Sequence, residues 1–262
     1  MTMTSEATST TNPRVGAIFT DVIDALTGVI EKHQVTWEEY RAATEWLTLA
    51  ASQGYEIPLM LDVFLSTPID NVNAVGEGTE SNVEGPFYVP DAPLLEAPVV
   101  LPKRPDEPGE KLVFSGTVRS TDGSPLAGAT LDVWQANGAG EYSHFSPDVP
   151  EYNLRGRLST GSDGRFEFET VVPEAYEIPT TGATGILLAA LGRPAFRPGH
   201  IHFILSHDQA RSLTTQIYFE GDPWIECDVV GAVKAPLITK LERHEDAEGR
   251  STATCTYDFV LP

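Results

Sequence analysis

The chain has 262 residues, 17 basic against 38 acidic side chains for a formal charge of −21, and 41% hydrophobic residues, enough for one large domain with an appendage or two small ones. Such an excess of carboxylates repels polyphosphates and anionic bilayers, and the basic residues form no stripe, which argues against nucleic acid and membrane surfaces as partners. No run of about 18 apolar residues occurs, and the polar, Ser/Thr-rich start carries no apolar signal segment, so the expected compartment is the cytoplasm.

Residues 1–14 read as a mobile tail, followed by a helical unit over residues 15–65. Ile18, Val22, Leu26 and Ile30 recur every four residues with Phe19 and Ile23 beside them, which predicts one amphipathic helix. Thr36 and Glu39 form a capping-box pattern ahead of Trp37, Tyr40, Ala43, Leu47 and Ala51, a second helix stopped near Gly54. Pro58 then opens an apolar segment, Leu59 to Leu65, with the length of one or two further turns. Residues 66–108 are so rich in Pro, Gly, Asn and Glu that they read as a long connector, the kind of segment that often carries function.

Residues 109–262 change to a period of two. Leu112–Val118, Thr130–Trp134, Arg165–Val171, His200–Leu205, Thr215–Phe219 and Cys255–Leu261 are short β-rich runs, separated by turn signals such as Asp122-Gly123 and Asp163-Gly164. The fold class expected is mainly β, a β-sandwich catalytic domain behind an N-terminal α-helical unit, with one helical insertion from Thr184 to Leu191 ending at Gly192. Cys227 and Cys255 have no metal-binding spacing and read as reduced thiols.

His200 and His202 supply the strongest chemical signal, because residues two apart on a strand point to the same side and can converge on one ion. No CxxC, HExxH or second HxH completes the site, and His33, His144, His207 and His244 are scattered. A zinc hydrolase would need one of these, such as His144, to arrive by folding. Tyrosines offer a different completion: Tyr142, Tyr152 and Tyr176 all lie in loop-like stretches of the β-rich half.

Six ordered motifs carry a resemblance: Gly85-Pro86-Phe87-Tyr88, Asp132-Val133-Trp134-Gln135-Ala136, Tyr142-Ser143-His144-Phe145, Asn153-Leu154-Arg155-Gly156-Arg157, Tyr176-Glu177-Ile178-Pro179 and Arg197-Pro198-Gly199-His200-Ile201-His202, with Thr215 to Pro223 behind them. Over nearly its whole length the chain resembles the intradiol ring-cleavage dioxygenases, and within them the catechol, chlorocatechol and hydroxyquinol 1,2-dioxygenases. The resemblance implies one non-haem Fe(3+) per chain, held by Tyr142, Tyr176, His200 and His202, with Tyr142 taken over Tyr152 and His144 kept as a rival ligand or neighbour of one. It implies cleavage of catechol or a chlorocatechol by O2 between the two hydroxylated carbons, giving a cis,cis-muconate. Hydroxyquinol, giving maleylacetate, is the alternative substrate, and a β-sandwich binding module without catalysis the alternative function.

In that scheme Tyr176 leaves the metal and takes a catechol proton, Arg197 stabilises the carbanionic ring and Gln216 orients it by hydrogen bonding. The substrate wall is expected at Leu59, Asp62, Val63, Val83, Pro86, Phe87 and Tyr88, where Asp62 can accept a hydrogen bond from a third hydroxyl. Gly199, Pro194 and Trp224 depart from residues common in the family. The helical unit is expected to form a homodimer whose interface can hold a lipid.

Overall fold

The computed structural model describes residues 12–74, 76–245, 249 and 251–262, so most of the expected tail lies outside the described residues. The chain divides into two compact units, one ending at Leu49 and the other spanning Ala50–Pro262.

The first unit holds α1 (Pro13–His33) and most of α2 (Trp37–Ser52). Helix α1 starts two residues before the expected boundary, because Asn12 accepts from the Arg14 and Val15 amides and Pro13 suits the first turn. It ends at Gln34, which takes the left-handed conformation (φ 53°). The capping box is formed as expected: the Glu39 amide donates to Thr36 Oγ1 (3.2 Å) and the Thr36 amide to Glu39 Oε2 (2.8 Å). Every residue of α1 is exposed or half-buried, including Ile18, Val22, Leu26 and Ile30.

Residues 50–65 belong with the β-rich unit, not with the helical one as expected. Here α3 (Glu56–Leu61), a π-helical turn (Asp62–Ser66) and α4 (Thr67–Asn73) follow one another, and polar ties join them to later residues of the same unit. Thr67 Oγ1 donates to the Val230 carbonyl (2.9 Å), and Lys234 Nζ donates to Asp70 (2.7 Å).

Two five-stranded sheets follow. In the first, β1 (Lys111–Ser120) pairs with β4 (Arg165–Val171) on one side and with β11 (Ser251–Thr256) and β12 (Phe259–Leu261) on the other, with β10 (Glu242–Glu245) outermost. The expected single run Cys255–Leu261 is broken at Tyr257–Asp258, where the Thr117 amide donates to the Asp258 carboxylate (2.8 Å). The second sheet runs β3 (Arg155–Ser159), β2 (Thr130–Gln135), β7 (His200–His207), β8 (Ala210–Phe219), β9 (Ile238–Thr239). Leu112, Phe114, Phe166 and Phe168 of the first sheet pack with Leu131, Val133, Ile201, Phe203, Leu205 and Ile217 of the second, and these side chains form the core of the sandwich. The expected insertion is α5 (Ala183–Leu191), set between two short strands that pair with each other, β5 (Tyr176–Glu177) and β6 (Phe196–Arg197).

Candidate metal centre

Ile201, Phe203 and Leu205 of β7 face the core, so strand alternation puts His200 and His202 on the opposite face of the sheet. Residues directly opposite on neighbouring strands share a face. His202 stands opposite Trp134 of β2 and Gln216 of β8, and His200 opposite Tyr218. One cross-strand row therefore assembles much of the site.

Tyr142 and Tyr176 come from outside this sheet. After β2 the chain turns at Asn137, whose side-chain oxygen accepts from the Glu141 amide (3.0 Å), and it closes on Gly140 at φ +78°. A Cβ on Gly140 would stand 2.9 Å from that of Tyr176, so glycine lets the Tyr142 turn lie against β5. Tyr176 is the register partner of Arg197, which brings the arginine to the same place.

The donor atoms converge. His200 Nε2 and His202 Nε2 are 2.9 Å apart, and Tyr142 Oη is 3.3 Å from His202 Nε2. The Tyr142 and Tyr176 rings meet edge to face at 5.4 Å, and the Tyr176 ring lies 5.9 Å from that of His200. All four side chains are buried. Burial pushes His200 down to about 3, with Arg197 adding to the effect, and holds His202 well below the ordinary range, so both rings are neutral. Burial likewise raises both phenols, with Tyr176 adding to the shift of Tyr142 and Arg197 opposing that of Tyr176.

These donors fit a metal ion. His200 Nδ1 donates to the Pro198 carbonyl (2.7 Å), which leaves its Nε2 as a bare lone pair. His202 Nδ1 has no partner. Where His202 carries its proton on Nδ1, a buried donor is orphaned and two lone pairs confront each other. Where the proton sits on Nε2, Nδ1 is an orphaned acceptor. A cation shared by the two Nε2 atoms removes the confrontation, and separations of about 3 Å are what donors about 2.1 Å from one ion require. Two phenolates and two neutral imidazoles are donors that favour a ferric ion.

Arg197 lies beside the donors. It is 2% exposed, and its Nη1 is 3.2 Å from His200 Nε2. Burial opposes its charge, but Asp228, Tyr218 and Tyr176 outweigh burial and raise its pKa well above the usual value. A second buried arginine, Arg155, has its Cζ 5.9 Å from the Tyr142 ring centre and donates to Ser143 Oγ (2.7 Å). Gln216 is in the row, but its carbonyl is taken by Arg197 and Tyr218, and its Nε2 donates to the Val83 carbonyl (2.6 Å). Its first effect is to hold Arg197, with one N–H left for a ligand.

Most expected wall residues gather here. Leu59, Val63, Val83, Phe87 and Tyr88 share an apolar cluster with Trp134, Tyr142 and Tyr176, and the Phe87 ring stacks on that of Tyr142 at 4.5 Å. Asp62 is close enough to feel the Arg197 charge, which offsets part of the upward shift that burial imposes on its carboxyl. Pro86 is exposed and outside that cluster, and the Tyr88 hydroxyl is directed to Asp132 (3.1 Å). Tyr152 and His144 pair with each other instead of joining the donors: their rings are 4.7 Å apart, and His144 Nε2 accepts from the Tyr152 amide. Among the described residues no three His, Cys, Asp or Glu side chains cluster, so the zinc reading lacks its third ligand.

Tyr218, Trp134, Arg155 and Asp228 escaped the sequence reading as site residues. Tyr218 follows Gln216 by two on one strand, and that spacing was the available signal. Asp228 is 31 residues from Arg197, and nothing local announces their pairing.

Comparison with known proteins identifies the family. The family model described as Dioxygenase matches residues 83–262, and the one described as Catechol dioxygenase N terminus matches residues 12–79. The chain belongs to the intradiol ring-cleaving dioxygenases. Among its relatives in that family, chlorocatechol 1,2-dioxygenase of Rhodococcus opacus is 41% identical over 95% of this chain and 98% of its own length. Catechol 1,2-dioxygenase 1 of Acinetobacter lwoffii is 37% identical over 95% of this chain and 83% of its own. The crystal structure of 3-chlorocatechol 1,2-dioxygenase from Rhodococcus opacus 1CP superposes with a TM-score of 0.90, at 42% identity, covering 96% of this chain and 99% of that one. Intradiol dioxygenases are iron-dependent enzymes, and membership sets aside both the zinc hydrolase and the binding module without catalysis. Among the described residues no helix is long and apolar enough to cross a membrane.

Proposed function

We propose that this chain cleaves catechol and chlorinated catechols with O2 between the two hydroxylated carbons, releasing a cis,cis-muconate, and that Tyr142, Tyr176, His200 and His202 hold one ferric ion per chain. The observation that carries this reading is that two imidazole Nε2 atoms lie 2.9 Å apart with a phenol oxygen 3.3 Å from that of His202 and Arg197 beside them. A ferric ion held there supplies a Lewis acid that acidifies both catechol hydroxyls. Chlorinated substrates are supported by the Rhodococcus opacus relatives at 41% and 42% identity, which are named for chlorocatechol.

The protein contributes proton transfer, charge and enclosure. Tyr176 Oη, buried beside the imidazoles and paired in register with Arg197, is placed to be the proton acceptor for one catechol hydroxyl. Arg197 Nη1 presents fixed positive charge where negative charge develops on the ring and its oxygens, in a site that excludes water. Phe87, Val63 and Leu59 supply apolar surface for the ring. Asp62 supports hydroxyquinol as a second substrate, because its carboxyl lies near Arg197 and can accept from a third hydroxyl.

The exposed stripe of α1 is the surface on which a second copy packs, with a lipid chain as a further occupant.

A substrate panel tests the reading: catechol, 3- and 4-chlorocatechol, methylcatechols and hydroxyquinol, followed by ultraviolet absorbance of the products. Iron-loaded protein is expected to be red to burgundy from phenolate coordination. Replacement of Tyr176 by Phe or His200 by Ala is expected to abolish ring cleavage and bleach or shift that colour. A colourless, iron-free protein with full activity overturns the assignment.

A further inference from the structure

Arg197 has five N–H bonds to place, and side-chain oxygens hold all but those on Nη1. Its Nε donates to Asp228 Oδ1 (3.1 Å), while Nη2 donates to Gln216 Oε1 (2.9 Å) and Tyr218 Oη (3.1 Å), with Asp228 Oδ2 at 3.4 Å. The carboxylate is itself fixed: Asp228 Oδ1 accepts from the Val230 amide (3.3 Å) and Oδ2 from the Ala232 amide (2.9 Å), and its side chain is 1% exposed. Tyr218 is also tied down, since its hydroxyl donates to Gln216 Oε1 (2.6 Å). A guanidinium met along its Nε–Nη2 edge by a carboxylate cannot rotate about its stem. Nη1 is thereby left on the side facing His200.

We propose that Asp228 is a positioning residue for ring cleavage, fixing the plane of Arg197 so that Nη1 faces the reacting oxygens, with the Tyr218 hydroxyl as a second stop. The proposal rests on the role given above to Arg197. Asp228 touches no reacting atom and acts only through the arginine. A purely structural role is the competing account, because the same carboxylate pins the loop over residues 228–232.

The test compares wild type with Asp228→Asn and Tyr218→Phe. Asparagine keeps an oxygen for one of the two loop amides and removes the charge and half of the fork, so Tm is measured beside turnover to separate a loosened loop from a loosened arginine. Turnover of the iron-loaded Asp228→Asn variant is expected to fall about 10- to 100-fold, with KM within about threefold of wild type and iron content unchanged. A second readout uses metal-free protein: the Arg197 Nε–H resonance in a nitrogen-15 NMR spectrum is expected to exchange with solvent about tenfold faster in the variant. Unchanged kcat and unchanged exchange overturn the proposal, as does a lower Tm with kcat intact. Where Asp228→Asn does not fold, Tyr218→Phe decides: a smaller loss of kcat with faster Nε–H exchange supports the proposal, and no change in either overturns it. Should wild type cleave no catechol, the ring-cleavage reading fails separately, and exchange at Arg197 still decides the positioning.

Discussion

Single residues around the site are constrained from several directions at once. His200 is oriented by a hydrogen bond to the Pro198 carbonyl, whereas His202 has no such bond and is held by parallel stacking on Trp134, with centres 4.6 Å apart and planes 9° from parallel. Gly199, between Arg197 and His200, sits where the backbone leaves no room for a side chain. A Cβ there would lie 2.3 Å from the Pro173 carbonyl oxygen. Gly199→Ala is therefore expected to destabilise the protein by about 1–3 kcal/mol, read as a lower midpoint in chemical denaturation, because backbone at the mouth of β7 must shift. Trp224 stacks on Phe196 at 4.2 Å, and since Phe196 precedes Arg197 on the same strand that stack lies on the face away from the arginine. The four candidate donors were legible because their motifs are local. The partners Asp228 and Arg155 were not, since burial of a charged side chain depends on what folds over it.

Secondary-structure elements show which signals reach from sequence to structure. The capping box of α2 and the stop of α5 at Gly192 involve neighbours within a few residues, and both appear where the pattern put them. Strands β5, β6 and β9 are two residues each, too short for any period, and β10 (Glu-Arg-His-Glu) is an exposed charged edge with no apolar alternation. The start of α5 is capped from a distance: Glu56 Oε2 accepts from the Thr184 amide (2.7 Å), and Gln53 accepts from that of Ala183 (3.2 Å). Glu56→Ala is expected to lower stability by about 0.5–2 kcal/mol, measured by urea unfolding, since it strands a buried amide. On α1, Leu26 is 53% exposed at the centre of an apolar stripe. Leu26→Glu is expected to convert a dimer to monomers in analytical ultracentrifugation with turnover retained, and an unchanged sedimentation coefficient would refute α1 as the contact.

For the whole molecule, the clearest expectation concerns metal and acid. In the proposed reading iron is held by groups that only folding brings together, so reconstitution is expected to raise Tm over chelator-stripped protein in proportion to the logarithm of free metal. The stripped protein is expected to lose stability as pH falls from 6.5 toward about 3, because unfolded His200 takes up a proton near 6.5 and the folded residue does not until about 3. His202 acts in the same direction, each ring contributing at most about 1.4 kcal/mol per pH unit, and a flat stability profile across that window would refute buried neutral imidazoles. By itself the sequence determined the order of helical and β-rich parts and the HxH pair on one strand face, because periodicity and motif are properties of neighbours along the chain. Only tertiary structure decided that residues 50–65 join the β-rich unit, that Tyr142 and not Tyr152 meets the imidazoles, and that Asp228 clamps Arg197. Those outcomes depend on which distant surfaces bury one another, and burial sets both the geometry and the charge state of the groups brought together.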